Sequence, residues 1–319
     1  MKYLQLFGRQ FPRVIMGCDH FGETVPEDVA RRELDLYLSC GGTVFDTACI
    51  YGQTTPRTPS TSEVVVGNHL KGMDRSSYTI ITKGGHPDRR DMHCSRINEK
   101  ELEYDINQSV EQLGTVPDWW LFHRDNPDIP APELLDLANS YIDRGLTMNI
   151  GVSNWPAERI EQANDWAAKH GKVPFTISQI QFSLAACTID SWGDDTVQVM
   201  GYNCSQQWYE KTKMPYMCFS SQGRGIIQKL VENRELGKAY RFDLPANHRL
   251  AEKVKEIAER DRVTVTDVCL SYITSQNSNS LAIAGATSVA QLEQSLAGCD
   301  FTLSEKDMEE LSVIRNNPA

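Results

Sequence analysis

The feature that most constrains this chain is a regular alternation of short apolar runs with longer segments of helical periodicity. The runs that we interpret as strands are 14–17, 43–46, 78–83, 116–122, 147–152, 176–181, 214–220 and 280–284. Helical material follows each run, and an aromatic-rich segment lies between the sixth and the seventh. Parallel strands need such crossovers, so the simplest arrangement is a closed (β/α)8 TIM barrel. The pattern predicts an α/β protein of one barrel domain over residues 1–319.

The rival arrangement is an open, doubly wound sheet. That fold needs a Gly-rich turn after its first strand, and the segment from Gly17 to Gly22 lacks the G-x-G-x-x-G spacing. We also find no linker composition, internal repeat or low-complexity tract along the chain. These observations favour the closed barrel as a single domain.

Composition argues against several binding partners and cellular locations. The net charge of −11 argues against a nucleic-acid partner, because phosphate binding depends on clustered Lys and Arg. Nine cysteines without C-x-x-C spacing indicate reduced thiols and a cytoplasmic protein. The N-terminus does not resemble a signal peptide, and no run approaches the roughly 18 apolar residues of a membrane span. We therefore expect a small-molecule partner and no membrane association. The oligomeric state leaves no mark in the sequence.

Reactive side chains stand at the predicted strand ends. In a TIM barrel, function lies at the C-terminal ends of the strands. These positions carry Asp46 with Tyr51 five residues later, Lys83, His123, Ser153 with Asn154, Gln179, and Phe219 followed by two serines. Such a series is improbable in a purely structural barrel. Asp46 and Tyr51 alone fit a turn residue and a loop aromatic, whereas Lys83 and His123 at equivalent positions favour a catalytic interpretation.

The first four of these side chains suit proton donation to a carbonyl oxygen. A free phenol has a pKa of about 10, and a nearby ammonium group favours the phenolate. We therefore expect Lys83 to lower the pKa of Tyr51, Asp46 to hold Lys83, and His123 to orient the carbonyl. No side chain here supplies electrons, so a hydride cofactor is required.

The chain resembles the aldo-keto reductase family along almost its whole length. The motifs that carry the resemblance are FDTACIYG, ITKGGHP, LFHRDNP, IGVSNW, ISQIQFSL, FSSQGRG and IAGATSVAQLEQS, in the order of the family. The resemblance implies that Asp46, Tyr51, Lys83 and His123 form a catalytic tetrad, with Tyr51 as the general acid. It implies that Ser153, Asn154 and Gln179 hold the nicotinamide carboxamide. Phe219 corresponds to the aromatic residue that stacks on the nicotinamide ring.

The same resemblance implies two further cofactor segments. The first is a loop near the pyrophosphate, formed by Ser220, Ser221, Gln222, Gly223 and Arg224. The second lies at the adenosine phosphate and includes Gly285, Thr287, Gln291 and Ser295. Members that prefer NADPH usually carry a basic residue in this second segment, yet residues 284–296 contain neither Lys nor Arg. We therefore expect NADPH or NADH, and Arg224 compensates only if its loop folds toward the ribose.

The substrate is constrained only weakly. His20, Phe21 and Trp155 are candidate substrate contacts, and Trp155 equally fits a packing role before the fifth helix. Polar loops with His and Arg residues suit a hydroxylated or anionic carbonyl compound, such as a sugar or another polar carbonyl compound. The cluster at 86–94 has the chemistry of metal ligands but no standard zinc spacing, so we expect no metal. Cys18 and Cys49 are interpreted as apolar fillers.

Three functions are compatible with these residues. The leading hypothesis is a nicotinamide-dependent reductase of aldehydes and ketones. The second is a cofactor-binding accessory protein with little turnover, since ion-channel accessory proteins that resemble this family retain the tetrad. The third is a lyase or hydrolase that uses Lys83 as a Schiff-base amine, which requires a lysine remote from carboxylates.

Overall fold

The computed structural model describes residues 1–55, 57–194 and 196–317, and the ends of the predicted domain at 318 and 319 lie outside them. Its strands are β1 (Tyr3–Leu6), β2 (Arg9–Pro12), β3 (Val14–Gly17), β4 (Val44–Asp46), β5 (Thr79–Gly84), β6 (Trp119–Phe122), β7 (Asn149–Ser153), β8 (Ser178–Gln181), β9 (Tyr216–Phe219) and β10 (Ser280–Ala284). The last eight form a closed barrel in the order β10-β3-β4-β5-β6-β7-β8-β9. The registers from β3 to β8, and that of β9 with β10, are parallel. The predicted fold is confirmed.

Helices connect these strands. They are α1 (Glu27–Ser39), α2 (Thr61–Leu70), α3 (Glu99–Leu113), α4 (Ala131–Asp143), α5 (Ala157–His170), α6 (Ile189–Trp192), α7 (Gln206–Thr212), α8 (Ile226–Val231), α9 (Pro245–Asp261), α10 (Val265–Thr274), α11 (Val289–Ala297) and α12 (Glu305–Arg315). Side-chain caps set several starts, because a cap satisfies a main-chain N–H that has no partner in the helix. The Ser60 hydroxyl accepts from Glu63 N, and the Asn98 side chain accepts from Glu101 N. Within the described ranges, every helix is too short or too polar to cross a bilayer.

An N-terminal hairpin precedes the barrel and was not predicted. Strands β1 and β2 pair antiparallel through a two-residue turn at Phe7 and Gly8, whose φ angles are 53° and 74°. Positive φ at both positions is the geometry of a type I′ turn, which usually selects Asn-Gly. Phe7 stands where Asn is usual, so the turn was not recognised from the sequence. The short helices α6, α7 and α8 were also missed, since they are shorter than the window in which helical periodicity is recognisable.

The described chain comprises two compact units. One consists of Ile15–Gln179 and Gly285–Val289, and its core includes the ring cluster of Phe122, Trp155 and Phe175. The other consists of Met1–Val14, Ile180–Ala284 and the chain from Ala290 onward, with Phe182, Tyr216 and Tyr272 among its packed rings. All nine cysteines lie in the described ranges and are free thiols.

Glu33 is a buried carboxylate on α1. It is 0% exposed, and neither of its oxygens has a hydrogen-bond partner among the described residues. Burial raises its pKa from the ordinary 4.5 to about 7. The folded chain therefore holds the proton more tightly than the unfolded chain, so Glu33 costs stability as the pH rises from about 4.5 to 7.

We expect Glu33→Gln to raise the free energy of unfolding at pH 8 by about 1–3 kcal/mol, with little gain at pH 4. Urea denaturation at the two pH values measures the difference. The exposed Glu309→Gln is the matched control and should change stability by less than about 0.5 kcal/mol. An equal gain at both pH values would contradict the assignment of the cost to ionisation.

Candidate active site

Four predicted side chains meet at one end of the barrel strands. Asp46 is the last residue of β4, Lys83 is the next-to-last of β5, and His123 follows β6 directly. Tyr51 lies five residues beyond Asp46, on the turn that leaves β4. Because the strands are parallel, their C-terminal ends meet at the same edge, and all four residues belong to the unit 15–179.

Lys83 is the centre of this group. Its Nζ lies 3.0 Å from Asp46 Oδ2, 2.6 Å from Thr47 O and 3.4 Å from Tyr51 Oη. The side chain is fully buried, and a buried ammonium group is stable only when its protons are bonded and its charge is paired. Burial lowers the pKa of Lys83, but Asp46 and Tyr51 together outweigh it and raise the pKa above its usual value. A Schiff-base lysine needs the opposite environment, so the lyase hypothesis is disfavoured.

Asp46 is held by Gln179 as well as by Lys83. Gln179 Nε2 donates to Asp46 Oδ1 at 2.7 Å, so both carboxylate oxygens are bonded. Burial raises the pKa of Asp46, and the bonds from Lys83 and Gln179 oppose that effect. The contact between Gln179 and Asp46 was not predicted, because it joins residues 133 positions apart.

The pKa of Tyr51 differs from the prediction. We expected Lys83 to lower it, whereas loss of hydration raises it to about 12, with Lys83 the largest opposing influence. The direction of the Lys83 effect is confirmed, but the expected net lowering of the pKa was wrong because it did not include the loss of hydration at the hydroxyl. Asp46 and Asp19 also raise the value, since each places negative charge near the phenolate. Tyr51 is therefore a protonated phenol at neutral pH.

His123 completes the group as a neutral imidazole. Its ring centroid lies 5.7 Å from that of Tyr51, in an edge-on arrangement. Burial, and then the nearby His86 and Lys83, lower its pKa well below the usual value. Its Nδ1 is buried and has no hydrogen-bond partner among the described residues. A neutral imidazole at this position can donate a hydrogen bond to a carbonyl oxygen.

Ser153 is the last residue of β7 and Asn154 follows it, whereas Gln179 is the second residue of β8, in register with Ser153. All three side chains are buried. Asn154 adopts a positive φ of 59°, which is uncommon outside glycine. Its Nδ2 lies 3.1 Å from Ser153 Oγ and 3.3 Å from His123 O. One hydroxyl and two amides provide both donors and acceptors. This set fits a carboxamide, which itself has one acceptor and one NH₂ donor.

The loop predicted near the pyrophosphate follows β9, in the other unit. Phe219 is half-buried and makes an edge contact with Trp192 at 5.4 Å. Ser221 Oγ donates to Ile283 O at 2.5 Å. Ser220 and Arg224 adopt positive φ angles of 51° and 56°, and strained backbone of this kind clusters at binding sites. The glycine between them, Gly223, also has positive φ.

The segment predicted at the adenosine phosphate, residues 284–296, contains neither Lys nor Arg. Gln222 Nε2 donates to Ser295 Oγ at 3.1 Å, and Ser295 Oγ donates to Gln291 O at 3.0 Å. The guanidinium of Arg224 lies 5.3 Å above the Trp192 ring, so the cation that was a possible 2′-phosphate ligand is engaged with an aromatic face. Gly285 and Thr287 are exposed.

The three candidate substrate contacts differ in exposure. His20 is partly exposed, with its Nε2 at 3.4 Å from Asp19 Oδ2. Phe21 and Trp155 are 1% and 0% exposed. The indole Nε1 of Trp155 donates to Arg124 O, and its ring packs in the core cluster described above. Their burial favours the packing alternative for Phe21 and Trp155, and substrate contact by these residues stays a prediction.

The remaining candidates have structural partners. Cys18 and Cys49 are buried, and burial raises both thiol pKa values well above the usual range, as expected for apolar fillers. Asp88 forms an ion pair with Arg90 at 2.7 Å. Within the described ranges, no three His, Cys, Asp or Glu side chains are grouped so that they could hold a metal ion.

Comparison with known proteins identifies the family. Residues 13–316 match the model described as "Aldo/keto reductase family". "Probable aldo-keto reductase 1" of Glycine max is 25% identical over 292 residues, covering 86% of this chain and 75% of the relative. "Norsolorinic acid reductase stcV" of Emericella nidulans is 22% identical over 325 residues, covering 96% and 79%.

Two solved structures share the fold. The thermostable aldo-keto reductase Tm1743, in complex with the inhibitor epalrestat, has a TM-score of 0.72 at 21% identity and covers 98% of this chain and 100% of its own. An aldo-keto reductase from Klebsiella pneumoniae, in complex with NADPH, has a TM-score of 0.69 at 19% identity and covers 99% and 95%.

Proposed function

Because the chain belongs to the aldo/keto reductase family and is an NAD(P)H-dependent oxidoreductase, we propose that it reduces aldehydes or ketones to alcohols with Tyr51 as the proton donor. The observation that carries the proposal is the arrangement of Lys83 Nζ, within hydrogen-bond distance of both Asp46 Oδ2 and Tyr51 Oη. That arrangement links a proton donor to a buried, charge-paired ammonium group. We also propose a cytoplasmic location, which the nine free thiols support.

Each of the four side chains has a different role in the proposed proton transfer. Tyr51 keeps its proton at neutral pH, since its pKa is raised to about 12. When the proton passes to the substrate oxygen, the Lys83 ammonium stabilises the phenolate that remains. Asp46 keeps Lys83 charged and in place. The neutral imidazole of His123 orients the carbonyl oxygen by a hydrogen bond and does not compete as an acid.

The nicotinamide cofactor supplies the hydride when it is bound. Ser153, Asn154 and Gln179 are the proposed carboxamide ligands, and Phe219 is the proposed stacking residue. Gln179 then has two tasks, since it also bonds Asp46. This double role ties the carboxamide position to the position of the proton donor, so a shift of one would disturb the other.

We propose that the chain uses NADH at least as readily as NADPH. The supporting observation is the neutral set of Gln222, Gln291 and Ser295, together with the engagement of Arg224 by Trp192. A 2′-phosphate binds best to an arginine that contacts it through two hydrogen bonds. Without such a residue, the 2′-phosphate loses its hydrogen bonds to water and gains only weaker ones to the protein. The 2′-hydroxyl of NADH is uncharged and can form hydrogen bonds with neutral side chains.

We expect Gln291→Arg to lower the Kd for NADPH by about tenfold, because one charge-assisted contact on an exposed helix is worth about 1–2 kcal/mol. The Kd for NADH should change by less than about twofold. Titration of tryptophan fluorescence measures both constants without turnover. Gln291→Met is the matched control, because it changes the side chain without adding a charge. A wild-type chain that binds NADPH at least about tenfold more tightly than NADH would contradict the proposed preference.

The function itself is tested with both cofactors and a panel of aldehydes and ketones. We expect the chain to reduce at least one of these compounds. The loss of NADH or NADPH absorbance measures the reaction. Tight cofactor binding with no turnover of any carbonyl compound would instead support the accessory-protein hypothesis. Binding of neither cofactor would overturn both.

A further inference from the structure

The first turn of α2 contacts the loop that carries Tyr51. That loop leaves β4 and reaches Gly52, after which the described residues from 53 to 59 are exposed or partly exposed. The chain is buried again at Ser60, the residue that caps α2. All of these residues belong to the unit 15–179. The proposed proton transfer has no role for α2, although its first turn is bonded to the main chain of the proton donor.

Ser60 joins the start of α2 to this loop. Its hydroxyl donates to Tyr51 O at 2.7 Å and also lies 3.0 Å from Ala48 O. The same hydroxyl oxygen accepts from Glu63 N at 3.2 Å, which is the cap of the helix. Ser60 is 0% exposed, and its own N–H donates to Gln112 Oε1 at 2.8 Å. One hydroxyl group therefore fixes the main chain of Tyr51 and the first turn of the helix at the same time.

Close packing leaves the loop little room to move against α2. Tyr51 N donates to Ala48 O at 3.0 Å and so closes the turn that Tyr51 occupies. Gly52 has a φ of 72°, and a Cβ at this position would lie 1.8 Å from Thr61 Oγ1, so only glycine fits. The Thr61 hydroxyl donates to Phe21 O at 2.8 Å, which holds its side chain in place.

The next two residues of α2 bond the chain beside the other members of the tetrad. Ser62 Oγ lies 2.7 Å from Thr47 Oγ1, and Thr47 O accepts from Lys83 Nζ. Glu63 Oε1 accepts from Thr82 Oγ1 at 2.5 Å, directly before Lys83 in β5. Both side chains of α2 are 0% exposed. The first turn is thus bonded to the segments that carry the proton donor and its ammonium partner.

These bonds matter because proton transfer depends on short distances. Lys83 Nζ lies 3.4 Å from Tyr51 Oη, at the long end of the hydrogen-bond range, so a small shift of the loop would break this contact. A displacement of about 1 Å at a reacting group can lower a rate about 10²-fold. Supporting hydrogen bonds prevent such displacements when they lock the groups that do the chemistry.

We propose that Ser60 is a positioning residue for carbonyl reduction, and that its hydroxyl holds the main chain of Tyr51 where the phenol reaches both Lys83 and the substrate oxygen. The inference rests on the proposed function, because it takes Tyr51 as the proton donor. Ser60 acts through Tyr51, and its hydroxyl hydrogen is directed to main-chain oxygens of the loop.

Ser60→Ala is expected to lower kcat by about 10- to 100-fold, because the loop that carries the phenol loses its link to α2. The Kd values for NADH and NADPH should change by less than about threefold, since the proposed carboxamide ligands keep their contacts. Ser60→Thr keeps both the hydroxyl group and the cap, so it should retain at least about one third of kcat. Steady-state kinetics with the carbonyl compound that the wild type reduces fastest, and fluorescence titration with each cofactor, measure these effects.

Loss of a helix cap has to be separated from loss of the link to Tyr51. Asn98→Ala is the matched control, because the Asn98 side chain caps α3 by accepting from Glu101 N at 3.1 Å. It should lower stability in the way that Ser60→Ala does and leave kcat within about twofold of the wild type. If Ser60→Ala does not fold, Ser60→Gly makes the same test, because glycine lacks the hydroxyl and is tolerated at the start of a helix.

Three results would overturn the inference and leave the proposed function intact. The first is a kcat of Ser60→Ala or Ser60→Gly within about threefold of the wild type. The second is an equal loss of kcat in Ser60→Thr, which would assign Ser60 to packing alone. The third is a parallel loss of kcat and cofactor affinity, which would indicate a general disturbance of the fold. Failure of the wild type to reduce any carbonyl compound with either cofactor would overturn the proposed function as well, and so is distinguishable from all three.

Discussion

Tyr51→Phe is expected to lower kcat for carbonyl reduction by about 10²- to 10⁴-fold, the range that a positioned general acid contributes. The substitution removes one hydroxyl from a group in which Lys83 Nζ keeps its other two oxygen partners, Asp46 Oδ2 and Thr47 O. The buried ammonium therefore stays paired, and the fold should tolerate the change. The Kd values for NADH and NADPH should change by less than about threefold, because the proposed carboxamide ligands are untouched.

Stopped-flow or steady-state kinetics and fluorescence titration measure the two effects on the same preparation. Tyr202→Phe, at a tyrosine that is 62% exposed, is the matched control and should behave as the wild type. Retention of more than about one tenth of kcat in Tyr51→Phe would remove Tyr51 from the proton-donor role. A parallel loss of cofactor affinity would point to a structural role instead.

Lys83→Met is expected to lower the free energy of unfolding by about 3–5 kcal/mol, the usual cost of removing one partner from a buried ion pair. The reason is that Asp46, 3% exposed, keeps its charge next to an apolar side chain. Carbonyl reduction should also fall by at least about 10²-fold, since no ammonium group remains to stabilise the phenolate.

The double variant Lys83→Met, Asp46→Asn separates these two effects. The amide removes the unpaired charge, so most of the lost stability should return, while kcat stays low. Urea denaturation at pH 7 measures the stability, and the same kinetics measure kcat. If Lys83→Met were as stable as the wild type, the ion pair would contribute nothing to the fold. Full activity in either variant would contradict the proposed role of Lys83.

Local sequence patterns predicted most elements of the barrel. The strands at 14–17 and 280–284 and the helix that begins after Asn98 have the predicted bounds to within one residue. Strand β6 begins at Trp119 and not at 116. An apolar run indicates which residues are buried, but it does not indicate which of them pair with a neighbouring strand. The N-terminal hairpin was missed because its turn carries Phe7 in place of the usual Asn.

The predicted tetrad residues do come together, and strand ends were a sufficient guide to them. What the sequence missed are contacts between distant residues: Gln179 with Asp46, and Arg224 with Trp192. Trp155 was ambiguous for the same reason. A tryptophan after a strand end fits a pocket wall or a core cluster, and only the surrounding rings distinguish them.

The order of residues alone specifies the alternation of strands and helices, and hence the edge at which Asp46, Lys83 and His123 meet. Periodicity and strand direction are local properties, so they can be inferred from the order of the residues. The ionisation of Tyr51 is not: its pKa rises to about 12 because burial outweighs the Lys83 ammonium, and burial is a sum over neighbours from many parts of the chain. The tertiary structure decided which of the two effects is larger, and so decided that Tyr51 holds its proton more tightly than a free phenol does.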